Sequence, residues 1–102
     1  MNYKRIHDQI IERAKVRTEI IGYKERHHII PKCLGGDNSK ENLVDLTARE
    51  HYLVHWLLTE IYPKENKLKF ALWLMSNYNR PGVDRYIPSS REYSYIRENA
   101  ID

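Results

Sequence analysis

Four of the five histidines in this chain of 102 residues form two pairs, His27-His28 and His51-x3-His55. Histidine is the commonest metal ligand and the commonest general base in proteins, so the two pairs point to a metal-dependent catalytic site. On a helix, His51 and His55 would lie one turn apart, about 6 Å along the axis, and on one face. With His27 as a third ligand, one coordination position would stay open, which is typical of catalytic rather than structural metal sites.

The first pair lies in residues 24–31, which favour a strand because two β-branched isoleucines precede Pro31. Neighbouring strand residues point to opposite faces, so His27 and His28 cannot both face one metal in an ideal strand. Either the strand ends or distorts there, or His28 reaches a substrate from beside the metal.

A loop, a second strand and a helix follow. Residues 34–42 contain mostly turn-forming residues and predict a loop, and the apolar residues of 43–46 predict the second strand of an antiparallel ribbon. Thr47-Ala-Arg-Glu50 is a capping box that predicts a helix, and an apolar stripe continues to Ile61 before Pro63 ends it.

Further helices are predicted on both sides of this core. Residues 3–17 have apolar side chains at helical spacing. Residues 64–78 predict a helix that is apolar on most sides and therefore well buried, with Trp73 and Phe70, like Trp56, as core aromatics. A second capping box, Ser89-Ser-Arg-Glu92, predicts a short final helix.

Composition predicts one folded domain over residues 1–102, because 41% of the residues are hydrophobic and 30% are charged. Cys33 is the single cysteine, which excludes an intramolecular disulfide and a cysteine-based zinc finger and fits a reducing cytosol. The N-terminal residues lack the apolar core of a signal peptide, and no apolar run is long enough to span a membrane. We therefore expect a cytoplasmic protein that has no membrane partner.

The net charge of +3 is unevenly distributed. Residues 1–32 carry 8 basic and 4 acidic side chains, residues 33–65 carry 3 and 6, and residues 66–102 carry 6 and 4. Basic ends around a more acidic centre suit a polyanion that is gripped on either side of a site. A charge of this size is also ordinary for a small protein, so it does not by itself indicate nucleic acid.

The residues from Glu25 to His55 resemble the HNH endonucleases, also called ββα-metal or His-Me finger endonucleases. The resemblance is carried by Glu25-Arg-His27-His28-Ile-Ile-Pro31, Gly35-Gly36, Asn42-Leu43 and His51-x3-His55. The pattern is most like that of phage-encoded HNH endonucleases and colicin-type DNases, which share the His-His start and the His-x3-His end. Many HNH enzymes have Asp at the position of His27, so that residue departs from the commonest pattern but not from the colicin-type one.

The resemblance implies an α+β fold with a ββα-metal core over residues 24–62, an N-terminal helix and two C-terminal helices. It implies that His28 is the general base that activates water, that Asn42 pins the loop between the strands, and that one divalent metal ion is bound by His27, His51 and His55. The implied reaction is phosphodiester hydrolysis that leaves 5′-phosphate ends. Three imidazoles suit zinc, nickel, cobalt or manganese better than magnesium, although some HNH enzymes work with magnesium.

Several charged residues are candidates for supporting roles. Basic residues near the histidines are candidates to clamp the phosphate: Arg26, Lys32 and Arg49. Three C-terminal arginines are candidates for further DNA contacts: Arg80, Arg85 and Arg91. Glu25 is a candidate to orient a basic group or one of the histidines. For each of these side chains, solvated surface charge is the alternative interpretation.

The sequence thus predicts a metal-dependent endonuclease whose partner is DNA, most simply double-stranded DNA, and which nicks one strand or cuts both as a homodimer. Two other functions stay open: a metal-stapled DNA-binding module without catalysis, and a nuclease that acts on RNA. A binding module would not need His28, an unligated histidine beside a ligand, and this favours the enzyme. A toxin nuclease module would need delivery domains in addition.

Overall fold

A computed structural model of the chain describes residues 2–77, which form an α+β fold of three helices and a two-stranded antiparallel sheet. In chain order the elements are α1 (Tyr3–Val16), β1 (Glu25–His28), β2 (Leu43–Leu46), α2 (Ala48–Ile61) and α3 (Asn66–Asn77). The predicted final helix and its Ser89–Glu92 capping box lie outside the described residues. None of the described helices is long and apolar enough to cross a membrane.

The hairpin has the predicted antiparallel pairing, with His27 opposite Val44 and His28 opposite Leu43. Strand β1 is shorter than residues 24–31, however, because it ends at His28. The backbone then bends, and the Ile29 N–H donates to the carbonyl of Asn42 at 2.8 Å. Both adjacent histidines thus lie within the paired strand, which ends directly after His28, and His28 is not part of the histidine group that could hold a metal.

The loop between the strands contains two short 3-10 turns, Lys32–Leu34 and Lys40–Asn42, where the sequence predicted irregular structure for residues 34–42. Gly35 caps the first turn with a φ of +95°, a left-handed conformation that glycine adopts without strain. The loop is therefore more regular than its turn-rich composition alone indicates.

Helix α2 begins with the predicted capping box: the Glu50 N–H donates to Thr47 Oγ1 at 3.1 Å, and the Thr47 N–H donates to Glu50 Oε1 at 2.8 Å. The same carboxylate accepts both terminal nitrogens of Arg17, at 2.7 and 3.0 Å, and Arg17 also donates to the carbonyl of Asp45 at 2.9 Å. Burial alone would raise the pKa of Glu50, but the hydrogen bonds from Arg17 and Thr47 outweigh it and hold that pKa below its usual value. The residue after α1 thus ties the end of β2 to the start of α2.

The main hydrophobic core lies between α1, β2 and the middle of α2. Its buried members are Ile10, Ile11, Ala14, Val44, Leu46, Val54 and Leu57. Helix α2 packs against α1 and also contacts both strands of the hairpin. The histidine pair on α2 is therefore carried by a helix whose position is fixed by apolar packing.

The prediction that the helix of residues 64–78 is buried on most sides is wrong for one side of α3. Leu68 and Leu72 are buried, but Phe70 is 60% exposed and Trp73 is 54% exposed, and their rings stack on each other. Helix α3 starts at Asn66 and packs on α2 through one face, so only that face is covered within the described residues. Trp56, the third predicted core aromatic, is half-buried and packs against both hydrophobic clusters.

Candidate metal centre and active site

The hairpin and α2 bring three histidines together: His27 from β1, and His51 and His55 from consecutive turns of α2. One ring nitrogen from each lies within 4.8 Å of the others, a spacing at which the three could hold a metal ion. Their ring centroids are 5.1, 5.1 and 4.7 Å apart. These are the three residues that the resemblance names as ligands.

Two of these imidazoles are held in the neutral form that a metal ligand needs. Burial is the main cause that lowers the pKa of His27 to about 2, and the neighbouring histidines add to it. Burial also lowers the pKa of His55 to about 3, with a further contribution from His51. At neutral pH both side chains therefore present lone pairs rather than positive charge.

The cluster also contains polar atoms with unmet bonding capacity. Among the described residues, His27 Nε2 and His55 Nδ1 are buried and have no hydrogen-bond partner. Buried polar atoms almost always have a bonding partner in folded proteins, so these two nitrogens are expected to bind a group that the protein itself does not supply. A divalent cation is such a group, and a set of imidazole nitrogens suits zinc and its neighbours in the transition series. The residues present thus fit a bound metal.

His51 is oriented by Glu25, the first residue of β1. Its Nδ1 lies 2.7 Å from Glu25 Oε1, and the two side chains are 16% and 10% exposed. A carboxylate accepts, so Nδ1 carries the proton and Nε2 keeps the lone pair that can face a metal. Glu25 was expected to orient a basic group or a histidine, and in the structure it contacts a histidine of the cluster.

His28 has a different environment from the three clustered histidines. It is half-buried, and its Nε2 lies 2.7 Å from Asn38 Oδ1 in the loop between the strands. An amide oxygen only accepts, so Nε2 carries the proton and Nδ1 keeps the free lone pair. This is the tautomer in which Nδ1 could take a proton from water.

Asn42 holds the loop that carries Asn38. Its side-chain oxygen accepts from the Ile30 N–H at 2.8 Å, and its side-chain nitrogen donates to the carbonyls of Ile30 at 3.1 Å and of Asp37 at 2.8 Å. The side chain is buried and replaces backbone partners that the bend after β1 would otherwise leave unpaired. In the structure Asn42 therefore fixes the geometry of the loop.

Gly36 permits this close packing. A Cβ at this position would lie 1.7 Å from the Ile30 carbonyl oxygen and 2.9 Å from Asn42 Nδ2. The Gly36 N–H also donates to the carbonyl of Pro31 at 3.0 Å. The second glycine of the Gly-Gly pair is thus needed for space, whereas the first is needed for its backbone conformation.

The predicted phosphate-binding residues in the described part of the chain are all on the surface. Arg26, Lys32 and Arg49 are exposed, as contact with a polyanion would require. The C-terminal arginines of the prediction lie outside the described residues: Arg80, Arg85 and Arg91.

His7, the fifth histidine, lies on α1 outside the motif, yet it is buried close to the cluster. It is 4% exposed, its Nδ1 lies 2.9 Å from Asp8 Oδ1, and positive charge on it would further lower the pKa of both His27 and His55. Its position was available from the helical spacing, because it lies one turn after Tyr3 and one turn before Ile10 or Ile11. A polar residue at an inward-facing position of a helix is an informative exception to the burial of apolar side chains.

Comparison with known proteins finds similarity to probable mobile endonucleases of a phage. It is 43% identical over 98 residues to probable mobile endonuclease E of Enterobacteria phage T4, a match that covers 96% of the chain and 69% of that protein. It is 39% identical over 103 residues to probable mobile endonuclease D of the same phage, covering 96% of the chain and 40% of that protein. Against probable mobile endonuclease C it is 40% identical over 106 residues, covering all of the chain and 47% of that protein.

The chain thus spans less than half the length of endonucleases D and C and about two thirds of endonuclease E. No protein-family model matches the chain, and no solved structure matches it. The alignment with endonuclease E extends over nearly the whole chain and so covers the elements that build the histidine cluster. The chain belongs to the family of the probable mobile endonucleases of Enterobacteria phage T4.

Proposed function

We propose that this chain is a metal-dependent HNH endonuclease that hydrolyses DNA phosphodiester bonds. The observation that carries the proposal is the spatial arrangement of four histidines. Three of them, His27, His51 and His55, converge on one point, while His28 is held apart with its Nε2 on Asn38. The names of the phage T4 relatives support nuclease activity.

A divalent cation held by the three histidines would stabilise the negative charge that builds up on the phosphoryl group and on the departing 3′ oxygen. The chain itself supplies the base: His28 Nδ1 takes a proton from water while its Nε2–H stays bonded to Asn38 Oδ1. The water oxygen forms a bond to phosphorus as the bond to the 3′ oxygen breaks. The 3′ oxygen takes up a proton from solvent, the other product keeps the 5′-phosphate, and His28 then returns its proton to solvent.

Asn38 and Asn42 act on the base in series. Asn42 fixes the loop backbone through Asp37, and the next residue, Asn38, then meets the ring of His28. An imidazole held by one nitrogen keeps one tautomer and one ring orientation, which a general base must have before substrate arrives. Asn42 thus contributes to catalysis by positioning, without contact with the reacting atoms.

The substrate assignment rests on charge and on the relatives. Phosphate contacts come from exposed cations, and the candidates in the described part of the chain are Arg26, Lys32 and Arg49. Beyond the described residues we assign the same role to Arg80, Arg85 and Arg91. Double-stranded DNA is the proposed substrate, with a homodimer as the simplest route to a double-strand cut. For the working metal we propose zinc, nickel, manganese or magnesium.

The direct test uses purified protein and supercoiled plasmid, first with EDTA and then with each metal added in turn. The proposal expects relaxed or linear DNA only when a metal is present. Retarded plasmid that stays supercoiled under every metal would instead indicate a DNA-binding module without catalysis. A structured RNA incubated in parallel separates DNA cleavage from RNA cleavage.

A further inference from the structure

A contact just outside the metal centre has no role in the mechanism above. Tyr23 lies in the segment that joins α1 to β1, and its hydroxyl donates to Glu25 Oε2, while Oε1 of the same carboxylate meets His51 Nδ1. Residues two apart in an extended segment project on the same side, so Tyr23 and Glu25 are neighbours by their spacing. Gly22, with a φ of +93°, turns the chain into this segment.

We propose that Tyr23 is a positioning residue for the metal centre, which acts through Glu25 on His51. The inference rests on the proposed function, because it assumes that the three histidines hold a metal. It adds a residue that lies outside the HNH-like pattern.

The physical argument begins with the two oxygens of Glu25. The side chain is only 10% exposed, so both oxygens need partners from the protein. The terminal torsion of a glutamate is broad, and a hydrogen bond to one oxygen alone leaves the carboxylate plane weakly fixed. Tyr23 on Oε2 and His51 on Oε1 give each oxygen a hydrogen-bond partner, and together they fix the plane.

A fixed carboxylate plane matters because it fixes a ligand. His51 Nδ1–H follows Oε1, and the opposite nitrogen, Nε2, points along the line through the ring. Rotation of the Glu25 carboxylate would therefore move His51 Nε2, or it would weaken the hydrogen bond that keeps the proton of His51 on Nδ1. Loss of the partner that orients a ligating histidine typically lowers metal affinity about 10–100-fold.

The test measures zinc affinity by calorimetric titration of the whole chain, with no DNA present. Tyr23→Phe removes one hydroxyl and keeps the ring, and we expect its zinc affinity to fall about tenfold, at the lower end of that range because Tyr23 acts one step further out. Tyr62→Phe is the matched control, since Tyr62 ends α2 away from Glu25, and it should bind zinc as the wild type does. The melting temperature of the metal-free Tyr23→Phe protein should stay close to that of the wild type.

A double-mutant cycle with Glu25→Gln distinguishes positioning from a general structural effect. If Tyr23 acts through the Glu25 carboxylate, adding Tyr23→Phe to Glu25→Gln should lower zinc affinity no further than Glu25→Gln does alone. Equal losses from Tyr23→Phe in both backgrounds would overturn the inference, and so would a Tyr23→Phe protein with wild-type affinity. Those results would leave the proposed function standing, whereas a wild-type protein that binds no metal would refute both.

Discussion

Acidification should destabilise the metal-free protein strongly, because two imidazoles of the cluster resist protonation in the folded state. The pKa values of His27 and His55 are lowered to about 2 and about 3, chiefly by burial, from an ordinary value of 6.5. Below pH 6.5 the unfolded chain therefore binds protons that the folded chain does not, and the free energy of unfolding falls as the pH falls. The effect is absent well above that pH and stops growing near pH 3 for His55 and near pH 2 for His27, where the folded state takes up the same proton.

The size of the effect follows from the number of residues involved. Each pH unit below 6.5 costs roughly 1 kcal/mol for each histidine that stays neutral, so at pH 5.5 the pair contributes a loss of about 2 kcal/mol. Domains of this class have a total stability of roughly 5–15 kcal/mol, so such a loss is readily measured.

The assay is urea unfolding in EDTA at pH 7.5, 6.5 and 5.5, followed by tryptophan fluorescence. His55→Asn serves as the comparison, because it removes one of the two resisting imidazoles. The wild type should lose more stability between pH 6.5 and 5.5 than the variant does, by about 1 kcal/mol. Equal stability of the wild type at all three pH values would refute the account of the buried cluster.

Three further predictions concern the proposed metal ligands, the glycines of the loop and the DNA contacts. Replacing either proposed ligand on α2, His51 or His55, by Ala should weaken zinc binding in calorimetry and remove the stabilisation that zinc gives the folded state. Unchanged zinc affinity in both variants would contradict the assignment of these two residues. In urea unfolding, Gly36→Ala should lower the free energy of unfolding by about 2–4 kcal/mol, because its Cβ would meet the Ile30 carbonyl oxygen at 1.7 Å. Gly35→Ala has open space and should cost only about 1 kcal/mol for its backbone conformation. The affinity of cleavage-dead protein for DNA should fall with salt by a log–log slope of about −0.9 per phosphate contact, and the slope should flatten by about two to three units on joint neutralisation of Arg80, Arg85 and Arg91. An unchanged slope in that triple variant would place the DNA elsewhere, with the basic residues of α1 as the next candidates.

Local sequence signals predicted the parts of the fold that depend on local physics. The capping box at Thr47 and the apolar stripe behind it predicted α2, and the spacing of His51 and His55 placed both on one face, as the structure has them. The antiparallel pairing of two short strands was also predicted, because the turn-rich residues between them allow little else.

Boundaries and long-range contacts were harder to predict. Strand β1 ends early because the Asn42 side chain bonds the backbone of Ile30, twelve residues away, and no propensity at residues 29–30 reports this. The exposure of Phe70 could not be read from α3, since apolar residues around a helix do not say how many neighbours it has.

The contacts of side chains that orient the site were the hardest to predict from the sequence. Asn38 stands in a loop where asparagine is ordinary, and only the fold brings it to His28. Arg17 reads as one more basic residue at the end of a helix, and its contact with Glu50 spans 33 residues. Such pairs depend on tertiary geometry, so a single sequence gives no spacing rule for them.

The most direct test of the central claim compares wild-type protein with His28→Ala on supercoiled plasmid in the metal that supports cleavage. His28→Ala should cut about 10²–10⁴-fold more slowly, because it lacks the base that takes the proton from water. Its zinc affinity and its DNA affinity should stay close to those of the wild type, since the three clustered histidines are untouched. A His28→Ala protein that cuts plasmid at the wild-type rate would contradict the assignment of His28 as the base.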